Sequence, residues 1–223
     1  MPLSSARALL AFLLIACAFA AHASGPVHKA RPEAAGLARL APFPASYAGD
    51  LPCADCPALR YRLNLFADRT YFLGAEYMGR NVRFYDIGIW GLSSDGGTLR
   101  LQGGRDGAQL FRVADARTLR MLALDGSEIQ SPHNASLSRT AKFEPLQPQL
   151  RLRGMYRAVG DDATFSECAT GQRWPVAPEG DSAALHAEYL KVRGEPGAHV
   201  LVNVEGTVRD VLRAERKGMQ RVL

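Results

Sequence analysis

Two cysteines, Cys53 and Cys56, stand three residues apart between Pro52 and Pro57 in the stretch DLPCADCP. That spacing suits three chemistries: a dithiol redox catalyst, a two-sulfur metal clip and a local disulfide. A catalyst of the thioredoxin kind sits where a strand meets a helix N-terminus, whose dipole lowers the thiol pKa. Here the chain alternates like a strand from Ala58 onward, and Asp55 between the sulfurs opposes a thiolate. Paired soft thiolates suit Cu(I). They fall short of the four ligands of a structural zinc site, and the chain has no second CxxC. A bridge across so short a loop would restrict the unfolded chain by about 2 kcal/mol, and the two prolines stiffen the same turn. The staple and the Cu(I) clip both stand, with the oxidised pair the expected state of an exported chain.

The other groups capable of chemistry are dispersed. His28, His133, His186 and His199 are isolated in sequence, and Met78, Met121 and Met155 lie in apolar runs where packing accounts for them. No Ser-His-Asp grouping, phosphate-binding glycine loop or HExxH occurs, and Asp161 and Asp162 are explained by turn chemistry. The residues point to a protein that is not an enzyme and requires no cofactor. The net charge of +5, from 27 Lys and Arg against 22 Asp and Glu, is scattered singly and forms no footprint for nucleic acid.

The first residues carry one positive charge and then the thirteen-residue apolar run ALLAFLLIACAFA, an export signal too short to span a bilayer permanently. Two processing sites are open. Cleavage before Ser24 makes residues 1–23 a signal peptide and the product soluble and periplasmic. LIAC resembles a bacterial lipobox; cleavage after residue 16 would leave Cys17 lipidated and the chain anchored to the outer membrane. Setting Cys17 aside leaves Cys53, Cys56 and Cys168, an odd number, so Cys168 is the expected unpaired thiol.

Positioning these groups falls to short alternating segments. Residues 24–45, rich in Ala, Pro and Gly, read as a flexible tether. From 46 to 141, apolar runs at 59–66, 71–78, 83–92, 98–102, 108–113 and 118–123, separated by turn signals, predict an up-and-down antiparallel β-barrel. Its aromatic residues Phe66, Phe72, Phe84, Trp90 and Phe111 are assigned to core packing. Residues 142–149 read as a linker, and 150–210 as a smaller OB-like barrel with one inserted helix, its strands read in LRLRGMYRAV, ATFSEC, QRWPVA and AHVLVNVEGTV. That helix is capped by Asp181 or Ser182, carries Leu185, Tyr189 and Val192 on one face and ends at Gly194. Residues 211–223 are charged and read as a C-terminal tail, either a short helix or frayed. The fold class is therefore mainly β, in two units.

Taken together, LPCADCP, the strand after it, GIW at 88–90 and LRMLALDGSEI at 119–129, with LRGMY, ATFSECATGQRWPVA, AEYLKVRG and VEG in the second unit, resemble the NlpE family of envelope lipoproteins, also called copper homeostasis lipoproteins. The likeness spans about residues 46–208. It implies a lipocalin-like N-terminal barrel and an OB-like domain, outer-membrane attachment, envelope stress signalling through a sensor kinase of the Cpx type, and a link to copper. No enzymatic activity comes with it. Better-known members carry a further cysteine beyond the OB-like domain, bonded to the one at the position of Cys168. None follows Cys168 here, so that redox sensor is expected to be missing. A second reading is a periplasmic carrier of a small molecule or Cu(I), using the barrel interior or the Cys53–Cys56 pair. A barrel filled with side chains would favour signalling, and an open apolar cavity a carrier.

Overall fold

The structure, a computed structural model, describes residues 32–103, 107–212 and 219–223. The export signal and Cys17 lie outside the described residues. Eight antiparallel strands close into a barrel: β1 (Ala45–Leu51), β2 (Leu59–Leu65), β3 (Thr70–Tyr77), β4 (Val82–Leu92), β5 (Thr98–Gln102), β6 (Gln109–Val113), β7 (Thr118–Leu122) and β8 (Ser136–Arg139). Closure is made by β1 against β8, with Tyr47 opposite Arg139 and Ala48 opposite Ser138. Strands β1 and β8 were not among the predicted runs, because β1 is interrupted by Gly49 and Asp50 and β8 is four residues long. Period-two alternation sends Tyr61, Leu63 and Leu65 of β2 and Tyr71, Leu73 and Ala75 of β3 inward. Trp90, Leu99, Leu101, Phe111, Leu119 and Leu137 complete a core in which none of these side chains is more than 4% exposed.

The segment expected to be a flexible tether contains a helix, α1 (Pro32–Leu40). Proline opens it and Glu33 occupies its first turn, both favourable at a helix N-terminus. Packing then holds it on the barrel end. Leu40 is fully buried, and Gly36 lies so close to Gly96 that a Cβ on Gly36 would sit 2.4 Å from the Gly96 carbonyl oxygen. Arg139 ties the helix C-terminus to β8 by donating to the carbonyls of Leu40 and Ala41 at 2.8 and 3.0 Å.

In the second unit β9 (Gln149–Val159), β10 (Asp162–Glu167), β11 (Arg173–Pro175) and β12 (Val200–Thr207) form a sheet in the order β11-β10-β9-β12. The helix α2 (Ser182–Val192) lies between β11 and β12 in the chain, as in an OB fold. Tyr189 anchors it, 1% exposed, with its hydroxyl donating to the Ala198 carbonyl at 2.9 Å. Val192 does not share that face: it is 65% exposed, since the helix buries only a narrow stripe against Tyr156. Asp181 is the N-cap but makes no side-chain capping bond.

The expected C-terminal tail is likewise corrected. Residues 209–212 and 219–222 form a hairpin of β13 (Arg209–Leu212) and β14 (Met219–Val222). Leu223 exchanges backbone bonds with the β11 end, donating to the Pro175 carbonyl at 3.0 Å and accepting from Ala177 at 2.8 Å. The density of charge hides the strands in the sequence, because these charges find their partners only in the fold: Arg209 pairs with Glu179, and Arg221 with Asp210 and Asp68.

The two units share a second apolar cluster. Phe66, Phe72 and Ile87 on the outer surface of the barrel pack with Phe143 and Leu146 of the linker and with Leu150, Leu152, Val208 and Leu223. Phe66 and Phe72 are thus core residues, though of the seam between the units and not of the barrel interior. Replacing Asn64, which binds the linker to this seam (below), by Ala is expected to lower the urea-unfolding free energy by ~2 kcal/mol, because three hydrogen bonds are lost and the part-buried Leu146 N–H is left without its acceptor. A change under ~0.5 kcal/mol in equilibrium denaturation would contradict that role.

Candidate functional site

Between β1 and β2 the DLPCADCP turn stands at one end of the barrel. Cys53 and Cys56 form a disulfide, with Cα atoms 5.3 Å apart. Bridged sulfurs carry no thiolate, so in this state the pair is neither a nucleophile nor a pair of metal ligands. Asp55 projects between them into solvent and pairs with Arg80 of the β3–β4 turn at 2.9 Å; Arg80 also donates to the Asp55 carbonyl. The ion pair is exposed and contributes little energy, but it joins the disulfide turn to the neighbouring one. Just below it, Asp50, Arg60, Glu76 and Arg83 stand side by side across β1–β4 in one row. Arg60 meets Asp50 at 2.8 Å and Arg83 meets Glu76 at 2.9 Å. The Arg60 hydrogen bond holds the Asp50 carboxyl below the ordinary carboxylate range.

Of the other site residues expected from sequence, Cys168 belongs to the second unit. It is exposed and unbridged, and its backbone N–H donates to the Arg153 carbonyl at 2.9 Å where β10 ends. The structure does not bring it to the Cys53–Cys56 pair. Among the described residues, the groups able to converge on a metal are Cys53, Asp55 and Cys56, whose donor atoms lie within 4.8 Å of one another. His186 instead contacts the Tyr156 hydroxyl at 3.4 Å.

The barrel interior is filled. Tyr47, Tyr71, Phe111, Leu63, Leu65 and Leu73 are all under 2% exposed, and the open concavities at residues 83–87 and 149–153 lie outside the barrel, between the units. Interior packing of this kind leaves the outer surface to carry recognition.

What sequence reasoning missed is the machinery that joins the units. Asn64 points outward from β2, is 1% exposed, and acts as a clip. Its Nδ2 donates to Ser46 Oγ at 2.8 Å and to the Glu144 carbonyl at 3.0 Å, while its Oδ1 accepts from the Leu146 N–H at 2.8 Å. Ser46 Oγ accepts from the Glu144 N–H at 2.8 Å. The linker is therefore hydrogen-bonded to the barrel wall along its backbone, where a side-chain amide supplies what a ninth strand otherwise would. From the C-terminal hairpin, Arg221 lays its guanidinium 3.9 Å from the Phe66 ring and 4.5 Å from the Phe72 ring. It also pairs with Asp210 at 3.2 Å and Asp68 at 3.8 Å and donates to Thr70 Oγ1 at 3.1 Å. Only 12% of its side chain is exposed. A single asparagine amid outward polar positions, and one arginine among many, give no local signal of such roles.

With Cys17→Ala to remove the leader thiol, the native chain is expected to present one titratable thiol under non-reducing denaturing conditions and three after reduction. Three thiols before reduction in material from an oxidising compartment would show that the bridge does not form.

Comparison with known proteins follows the same two units. The profile of the NlpE N-terminal domain matches residues 47–132, and that of the NlpE C-terminal OB domain matches residues 146–223. Lipoprotein NlpE of Escherichia coli (strain K12) is 37% identical over 175 residues, covering 77% of this chain and 71% of that protein. The crystal structure of the Cpx pathway activator NlpE from E. coli aligns at 32% identity over 81% of this chain and 91% of that one, with a TM-score of 0.36. A chain assigned as a lipoprotein from Shewanella oneidensis aligns at 28% identity over 45% of this chain and 91% of that one, with a TM-score of 0.39.

Proposed function

This chain belongs to the NlpE family, and we propose that it is a non-enzymatic envelope protein that signals envelope stress to a sensor kinase of the Cpx type. The observation that carries the reading is the match of both NlpE domain profiles, in order, over most of the chain. It is supported by the E. coli relative's description as a Cpx pathway activator and by a first barrel whose interior is packed with side chains. Such a barrel recognises through its surface, which argues against the carrier reading. Among the described residues no helix is long and apolar enough to cross a membrane; the proposed link to the outer membrane is a lipid on Cys17. Overexpression in E. coli with a Cpx-responsive promoter fusion is expected to raise reporter output, with Cys17→Ala altering the response through loss of the anchor. No response from either version, at matched protein levels, would remove the signalling reading.

Copper, on this reading, meets the chain only at a reduced Cys53–Cys56 pair. Two soft thiolates beside the Asp55 carboxylate form a donor set that suits Cu(I), whereas the bridged sulfurs do not. Equilibrium dialysis under anaerobic reduction is expected to show Cu(I) retained by the reduced chain and lost from Cys53→Ser/Cys56→Ser. Equal retention by both would place the metal elsewhere.

A further inference from the structure

The sheet of the OB domain is capped along one edge and bare along the other. At the β11 edge the Leu223 N–H donates to the Pro175 carbonyl at 3.0 Å and the Ala177 N–H donates to the Leu223 carbonyl at 2.8 Å, so the C-terminal strand pair covers it. At the opposite edge, β12 is bonded to β9 alone. Just past its end the Val208 N–H donates to the Pro148 carbonyl at 3.0 Å, which fixes the alternation. Even-numbered residues of β12 bond to β9, and Leu201, Asn203 and Glu205 direct their backbone N–H and C=O groups away from it. Among the described residues no backbone group meets them there.

Nothing in the strand guards this edge. Edge strands are ordinarily protected by proline, by lysine, by a bulge or by brevity. Strand β12 runs for eight residues, VLVNVEGT, without Pro or Lys and in unbroken register with β9. Its one carboxylate, Glu205, is paired with Arg151 at 3.3 Å. Val200, Val202 and Val204 face the apolar cluster of the domain but are only partly buried, and Leu201 on the other face is 47% exposed. The valines lack cover on the side where a next strand would lie.

We propose that β12 pairs antiparallel with β12 of a second copy of this chain, about a twofold axis through Val202. The valine row selects both the occupant and the register. Its members stand two residues apart, so an axis at the middle one sets Val200 of each copy opposite Val204 of the other and brings the two Val202 side chains together. All six valines are then covered. On the solvent face Leu201 meets Asn203 and His199 meets Glu205 of the other copy, with no like charges opposed. The outward N–H groups of Leu201 and Asn203 find carbonyl acceptors across the axis. An axis at Val204 is closed off, because it would set Val202 of the other copy opposite Gly206, where Leu223 stands: a Cβ on Gly206 would lie 2.8 Å from Leu223 Cδ1. With the β11 edge capped, association stops at two copies. The contact is one strand long, so the dimer is weak and forms with rising concentration. It goes beyond the signalling reading, and its test uses no stress reporter.

The Cys17→Ala/Cys168→Ser chain, which lacks the thiols outside the Cys53–Cys56 bridge, is expected to show a monomer–dimer equilibrium in sedimentation at concentrations up to about 0.5 mM. Asn203→Pro removes an outward N–H at a place where an edge strand accepts proline, and is expected to weaken the dimer at least about tenfold. Should that variant fail to fold, Leu201→Lys, at an exposed position, sets two ammonium groups beside the axis and is expected to weaken the dimer to the same degree. The register has its own readout. In the paired strands the two Val202 Cα atoms lie about 4.5 Å apart, within disulfide reach, and the two Val204 Cα atoms roughly 13 Å apart. Mild oxidation is expected to crosslink the Val202→Cys chain into a dimer on a non-reducing gel and to leave the Val204→Cys chain uncrosslinked. A chain that stays monomeric up to about 0.5 mM, a dimer that either folded edge variant leaves unchanged, or crosslinking of Val204→Cys in place of Val202→Cys would overturn the proposal.

Discussion

Everything in this molecule is arranged around one cross-strand row on the outside of the barrel: Ser46, Asn64, Phe72 and Ile87, adjacent through the register of β1 to β4. Barrel strands alternate strictly, so filling the interior with Tyr61, Leu63, Leu65, Tyr71 and Leu73 commits the intervening residues to the outer wall. Where those are Phe72 and Ile87, the wall is apolar and must be covered; each such side chain removed from water contributes roughly 1.5–3 kcal/mol. The linker and the second domain supply the cover, and the Asn64 and Ser46 side chains pair the linker backbone as it crosses.

Polarity rises in steps away from that row. The next one, Ala48, Arg62, Gly74 and Tyr85, is small and mixed; the one beyond, Asp50, Arg60, Glu76 and Arg83, is a run of alternating charge. At the far end sits the Cys53–Cys56 turn with its Asp55–Arg80 pair. Disulfide and domain seam thus occupy opposite ends of the same four strands. A change of state in the disulfide turn and a change at the seam bear on one continuous wall.

Arg221 closes the arrangement from the other direction. Its guanidinium is half an apolar cover, over Phe66 and Phe72, and half an ion-pair centre, with Asp210 and Asp68. A planar cation that stacks and pairs at once suits this position better than an aliphatic residue, which would leave Asp68 and Asp210 without a countercharge, or a lysine, which stacks less well. The hairpin that carries it extends the OB domain beyond β11 and makes the seam a three-part contact of barrel, linker and C-terminus.

Legibility in the sequence followed the range of the interaction. Strands β2 to β7, β9 to β12 and α2 are legible because their periodicity is local. The helix Pro32–Leu40 looks like a tether in the sequence, since an Ala-rich segment with Gly36 in its middle is helical only when Leu40 has a barrel end to bury in. The terminal strand pair looks like a tail in the sequence because Arg221 resembles any solvated charge until Phe66 and Phe72, about 150 residues earlier, lie beneath it. Alternation and spacing by themselves determined two β units and their order, and left the Cys53–Cys56 pair open between a staple and a Cu(I) clip. Which outward residues form the seam, and that Asn64 and Arg221 hold it, only the tertiary structure decided, because an outward position in a strand is polar or apolar for reasons that lie in whatever comes to rest against it.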